Sequence, residues 1–169
     1  EIAASFPVYR TYVTEHSVEI SQQDREVIQN AAEAVRERAG LKVDAGVVDF
    51  LERLLLMELA PELDESGLKL VREFVMKLQQ LTGPAMAKGL EDTAFYRFNR
   101  LVSLNEVGGE PGRFGVSPEE FHSANAIVAK QWPHTLLASA THDTKPGEDV
   151  RARLHVLSDM PAEWRDTVT

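Results

Sequence analysis

Two short runs with strand character stand near opposite ends of this 169-residue chain, and most of what lies between them is patterned for helix. Phe6-Pro7-Val8-Tyr9-Arg10-Thr11-Tyr12-Val13 is rich in aromatic and β-branched residues, with Pro7 tolerable only at its beginning. Thr135 to Ala140 reads as the second strand. Strands so far apart in sequence make an odd free-standing domain. They fit better as neighbours in a parallel barrel, with the helices between them forming an enlarged crossover or an inserted subdomain. The fold expected is therefore mainly α: a helical subdomain bracketed by two short strands, as a fragment of a (β/α)8 barrel enzyme. Residues 1–20 are then a barrel strand and its connection, 21–131 the helical insertion or enlarged crossover, and 132–169 the other strand, its loop and the helix after it.

The helices have readable limits. Ser21 can cap a helix whose apolar positions Val27, Ile28, Ala31, Ala34 and Val35 recur at helical spacing, and Gly40 is placed to end it. Val47, Val48, Leu51, Leu54, Leu55 and Leu59 make a broad apolar surface on a helix from about 44 to 59, stopped by Pro61 and expected to be the most buried. A third helix from about 64 to 81 carries Leu68, Val71, Phe74, Val75, Leu78 and Leu81 on one stripe, with Gly83 as its punctuation. Pro84 suits the first turn of a fourth, running to Phe98. Four glycines and a proline make 107–116 a loop, and Ser117-Pro118-Glu119-Glu120 restarts a helix with a capping-box pattern, ending near Trp132-Pro133. Gly147 to Leu157 returns to helix, and Pro161 to Thr169 reads as one weak turn or a frayed end.

Composition narrows the partners. A formal net charge of −9 disfavours nucleic acid and an anionic membrane surface, and a neutral polar substrate fits better. With no cysteine there is no disulfide framework, thiolate metal site or Cys nucleophile, which is compatible with the cytoplasm. Apolar runs such as Leu54 to Met57 are too short to span a bilayer, and Glu1 to Tyr12 lacks the basic start and apolar core of a signal peptide. The chain begins without an initiator Met, as a processed or excised piece would. No Gly-rich phosphate loop, His-Glu-x-x-His pattern or Gly-x-Ser-x-Gly elbow occurs, so neither cofactor nor metal is expected. His16, His122, His134 and His155 are scattered and read as surface or packing residues.

Three stretches could carry chemistry. Ala138-Ser139-Ala140-Thr141-His142-Asp143-Thr144-Lys145 puts a His-Asp pair at the end of a strand and just before a helix, where barrels place catalytic groups. An Asp there could bind substrate hydroxyls and stabilise positive charge; the plainer reading is an Asp cap for the next helix. Lys88-Gly89-Leu90-Glu91-Asp92-Thr93-Ala94-Phe95-Tyr96-Arg97 is packed with ionisable groups around a glycine that helices avoid. It is either a solvated face with Lys88 paired to Glu91 or Asp92, or a surface for a sugar, on whose rings Phe95, Tyr96 and Phe98 could stack. The glycine favours the second, as a place where another backbone or a ligand comes close. The run from Asn99 to Glu110, with two Asn, a Glu and a Gly-Gly turn, reads as a capped turn.

The runs Lys88 to Arg97, Leu101 to Gly109 and Thr141 to Leu154, together with Phe6 to Tyr12, resemble the maltooligosyltrehalose synthases of the α-amylase superfamily, from about Phe6 to Leu157. The resemblance implies a (β/α)8 barrel with a nucleophilic Asp, a general-acid/base Glu and a third Asp that follows a His, and it puts that pair on His142 and Asp143. It implies a maltooligosaccharide substrate whose reducing-end α-1,4 linkage becomes an α,α-1,1 linkage with net retention. Asp143 is then catalytic, His142 binds the same ring, and Lys88, Glu91, Asp92, Tyr96 and Arg97 are candidates for the pocket wall. The nucleophile and acid/base lie upstream in the family, so the rest of the barrel is the implied partner and this piece alone is expected to be inactive. Two alternatives remain: a fragment of an α-glucan hydrolase, and a non-catalytic helical interaction or glucan-binding module docking through Leu51 to Leu59.

Overall fold

Ser21 Oγ accepts the backbone N–H of Asp24 at 3.0 Å and so starts helix α1, Gln22–Glu37. The structure is a computed structural model that describes residues 1–17, 19–38 and 43–169. It divides into two units, Glu1–Asp92 and Thr93–Thr169. Among the described residues the order is helical throughout, with no strand.

In the first unit α1 buries Ile28, Ala31, Ala32 and Val35, the i, i+3, i+4, i+7 face of an amphipathic helix. Two alanines in that face let helix α2, Ala45–Leu55, and the 3-10 turn Ile2–Ser5 approach closely. Burying a side chain such as Ile28 or Val75 stabilises the unit by about 1.5–3 kcal/mol each. The guanidinium of Arg36 crosses from α1 to Asp49 at 2.7 Å and to Glu52 on α2, and these hydrogen bonds, Glu52 first, raise its pKa further above its already high value. Gly40, the expected end of α1, lies outside the described residues; the last helical residue is Glu37.

Helix α2 is shorter and less buried than its pattern suggests. Asp44 caps it through the N–H of Gly46 at 2.8 Å, but it ends at Leu55 rather than Leu59. Met57 adopts φ +58°, a left-handed residue that turns the chain out of the helix just after Leu55 and Leu56, both of which are buried in the core. Pro61 stands in a separate 3-10 turn, Ala60–Glu62. Val47 and Phe50 are exposed, so α1 and not α2 is the most buried helix.

Helix α3 spans Glu65–Pro84, capped by Asp64 through the N–H of Gly67 at 2.8 Å. It runs past Gly83 and does not restart at Pro84. Proline cannot donate the next hydrogen bond, and beyond it the chain widens into a π-helical turn, Ala85–Glu91, where the Asp92 N–H reaches back to Ala87 O at 2.9 Å. The buried positions of α3 are Val75, Gln79 and Thr82, while Phe74 and Leu81 of the expected stripe are exposed.

The first expected strand, Phe6 to Val13, is an irregular segment with no neighbouring strand. Its end is held by Gln79: Oε1 accepts from Thr11 Oγ1 and from the N–H of Val13, each at 3.1 Å, and Nε2 donates to Val13 O at 2.7 Å.

The second unit holds the 3-10 turns Ala94–Tyr96 and Val102–Leu104 and the helices α4, Pro118–Gln131, α5, Glu148–Val156, and α6, Pro161–Val168. Ser117 and Glu120 form the expected capping box of α4 at 3.1 and 2.9 Å. The last segment, expected as a weak turn, is a full helix with Pro161 in its first turn. Thr135 to Ala140 forms no strand, and Leu136 and Leu137 are 95% and 92% exposed. Both strand expectations fail for one reason: a strand exists only with a neighbour to take up its N–H and C=O groups, and no strand neighbour is present among the described residues.

Candidate functional site

In the second unit the loop from Thr141 to Lys145 is shaped by its own hydroxyls. Thr144 Oγ1 accepts the N–H of Thr141 at 2.7 Å, and the Thr144 N–H returns to Thr141 O at 3.2 Å. This closes a tight turn with His142 and Asp143 at its tip. His142 Nδ1 lies 3.1 Å from Asp143 Oδ1, and the two side chains are 100% and 77% exposed. With Nδ1–H donating to the carboxylate, Nε2 is left for another partner.

The turn is tied to the rest of the unit by Glu106. Its Oε1 accepts the N–H of Lys145 at 2.8 Å and that of Val107 at 3.0 Å, while Oε2 is buried without a hydrogen-bond partner. Next to it Asn105, 3% exposed, donates from Nδ2 to Phe95 O at 2.7 Å and Phe98 O at 2.6 Å, and its Oδ1 is buried and unpartnered. Asn105 also lines a cavity of about 140 Å³ with Tyr96, Asn99, Val102, Lys145 and Pro146. Tyr96 and Arg97 are exposed. The structure thus groups Tyr96, Asn99, Asn105 and Lys145 around one hollow. The Asn99 to Glu110 run does more than cap a turn.

Lys88, Glu91 and Asp92 belong to the first unit. Lys88 Nζ meets Asp92 Oδ2 at 2.6 Å. Glu91 turns inward, 4% exposed, and takes a short hydrogen bond from the Tyr9 hydroxyl. The π-helical turn explains the split, because widening the helix rotates Glu91 off the face that Lys88 and Asp92 share. Gly89 stands in the open: a Cβ there would meet nothing within 4 Å among the described residues, so no close approach there explains the glycine.

Glu106 and Asn105 were not singled out individually by the sequence reading. Their farther backbone partners lie 39 and 10 residues away, beyond any local pattern; only the polar run ending in Gly108-Gly109 marked the place. Among the described residues no cluster of three or more His, Asp or Glu is arranged to hold a metal ion, and no helix is long and apolar enough to cross a membrane.

The folded segment can be set beside known proteins, and its matches fall within one class of enzyme, the synthases that form maltooligosyltrehalose. A protein of Mycobacterium tuberculosis described as a maltooligosyl trehalose synthase is 53% identical over 109 residues, 63% of this chain and 14% of the relative. The solved maltooligosyltrehalose synthase of Arthrobacter ramosus superposes with a TM-score of 0.72 at 35% identity, covering 98% of this chain and 19% of that one. The Sulfolobus tokodaii protein of the same name gives 0.66 at 31% identity, covering 99% of this chain and again 19% of that one. No protein-family model matches. The chain is similar to one segment of these synthases, and it spans less than a fifth of the length of these relatives.

Proposed function

We propose that this chain is a segment of an intramolecular transglucosylase that converts the reducing-end α-1,4 linkage of a maltooligosaccharide into an α,α-1,1 linkage, leaving a terminal trehalose. The superposition of nearly the whole chain on the Arthrobacter ramosus synthase carries this reading. The second unit also supports it: side chains such as Phe114, Leu136 and Leu137 are far too exposed for a self-sufficient domain and suit one that packs inside a larger enzyme. That enzyme would be a (β/α)8 barrel of the α-amylase superfamily working in the cytoplasm.

In this reading a carboxylate elsewhere in the enzyme attacks the anomeric carbon as the glycosidic C–O bond breaks, and an acid there protonates the departing oxygen. The freed glucose turns over, its anomeric hydroxyl attacks the glycosyl-enzyme, and the carboxylate leaves as the acceptor proton passes to the base. Asp143 accepts hydroxyl hydrogen bonds from the ring at the cleaved bond and opposes the positive charge that develops on it. His142, oriented through Nδ1 by Asp143, presents Nε2 to the same ring. Tyr96 and Arg97 of the second unit contact the sugar that turns over; on the first unit Lys88 and Asp92 are candidate sugar contacts in their own right, beside Glu91, which takes the Tyr9 hydroxyl.

The test is conversion of maltopentaose by the full-length protein carrying this segment. A non-reducing, trehalose-ended product of unchanged size is expected, and release of glucose or maltose alone would point to a hydrolase instead. The 169-residue chain alone should give no product, since its assigned carboxylate stabilises charge and neither attacks nor donates the proton.

A further inference from the structure

Among the described residues Asp143 is almost unsupported by side-chain contacts, because its hydrogen-bonded neighbour there, His142, is itself fully exposed. Whatever fixes the carboxylate must act through the backbone of its turn. One end of that turn is closed from within, by Thr144 Oγ1 on the Thr141 N–H. The other end is closed from outside by Glu106 Oε1 on the Lys145 N–H, across 39 residues.

The same oxygen also takes the N–H of Val107, so the Glu106 side chain folds back over its own backbone and cannot swing freely. Gly109 completes the platform: its N–H bonds to Glu106 O at 2.7 Å, and its Cα sits where a Cβ would come within 2.6 Å of Leu104 O. A charged acceptor on two backbone N–H groups makes a stronger hydrogen bond than a neutral one, which suits a clamp.

We propose that Glu106 is a positioning residue for Asp143, its carboxylate holding the Lys145 end of the turn so that the Asp143 side chain meets substrate in a fixed place. The idea rests on the functional reading given above for Asp143, but the clamp itself can be tested without it. Small misplacements of a catalytic group are costly, with about 1 Å worth as much as a 100-fold loss of rate.

Amide hydrogen exchange of the full-length protein reads the clamp directly. Glu106→Ala should speed exchange at the Lys145 and Val107 amides while the amides of α1 and α3 stay as they were; unchanged exchange at Lys145 overturns the proposal. If the alanine variant does not fold, Glu106→Asp, one methylene short of the Lys145 amide, is read in the same way. In the full-length protein on maltopentaose, Glu106→Ala should lower kcat by about 10- to 100-fold while KM moves by less than about 3-fold. Glu106→Gln, whose amide oxygen accepts the same two N–H groups, should recover most of the loss. Full kcat in Glu106→Ala, or a glutamine variant as damaged as the alanine one, overturns the positioning role. A wild-type protein that forms no trehalose-ended product refutes the functional reading instead, and the exchange result then still decides whether Glu106 holds the turn.

Discussion

Gln79 does for Val13 what a neighbouring strand would do. Its amide accepts the Val13 N–H at 3.1 Å and donates to the Val13 carbonyl at 2.7 Å, which is both halves of a ladder pair supplied by one side chain from a helix. The pair is buried, with Gln79 4% exposed, so water cannot replace it. Gln79→Leu keeps the bulk and leaves two buried backbone groups and the Thr11 hydroxyl without this partner. It should destabilise the chain by about 2–4 kcal/mol in urea denaturation, and a loss under about 1 kcal/mol would mean that the segment rearranges to find other partners.

That pair also marks where the sequence stops being legible. Features that depend on near neighbours were readable: Ser21 and Ser117 each sit three residues before the N–H they cap, and Pro118 stands at the first turn of α4. The β-branched run ending at Val13 showed the right propensity, but propensity says only that a residue fits a pleated surface. Whether a strand forms depends on a distant partner, and here a glutamine on α3 took that place. The ends of α2 and α3 were missed for a related reason. Nothing in Met57 announces φ +58°, and a proline that usually opens a helix instead closes α3 and widens the next turn. At the candidate site the His142-Asp143 pair was legible because its two residues are adjacent. The clamp by Glu106 was not, since it joins positions that only the fold brings together.

Glycines on the two units should respond in opposite ways to the same change. A Cβ at Gly83 would lie 3.8 Å from Tyr9 O, an ordinary contact, inside helix α3 where glycine is entropically unfavourable. Gly83→Ala should therefore stabilise by about 0.5–1 kcal/mol. A Cβ at Gly109 would fall 2.6 Å from Leu104 O and 2.8 Å from Glu106 O, both backbone atoms that cannot step aside. Gly109→Ala should cost about 1–3 kcal/mol in its own unit. Denaturant midpoints that move in the same direction for both variants would contradict the packing described.

Acid should weaken the fold, and the helix cap of α3 should be part of the cause. The Asp64 carboxyl is held below its usual range by the Gly67 N–H and then the Ser66 hydroxyl, Glu73 by Lys77, and Glu120 by the Ser117 N–H and then Arg113. Each folded-state carboxyl thus binds its proton at lower pH than in the unfolded chain. Their stabilisation is fully present above the unfolded carboxylate range, near pH 4–5, and is lost as pH falls through the lower folded values. Urea midpoints should be flat from neutrality to about pH 5 and decline below about pH 4. Asp64→Asn keeps an oxygen for the Gly67 N–H but cannot titrate, so its midpoint should decline less steeply; an unchanged slope would exclude Asp64 as a contributor.

Asp143→Asn separates chemistry from structure, because the side chain is 77% exposed and among the described residues meets only His142. In the 169-residue chain the change should leave stability within about 0.5 kcal/mol of wild type. In the reaction proposed for the full-length protein, the amide keeps one oxygen to accept hydrogen bonds but should no longer set a negative charge against the oxocarbenium-like ring. Losing one electrostatic partner of a developing charge typically costs about 100- to 1,000-fold in kcat, and that is the loss expected for formation of the trehalose-ended product from maltopentaose. His142→Ala removes a hydrogen-bond partner proposed for the same ring and leaves the carboxylate in place, so it should cost less. Turnover near wild type in Asp143→Asn would take the carboxylate out of the reaction, and the loop held by Glu106 would then need another purpose.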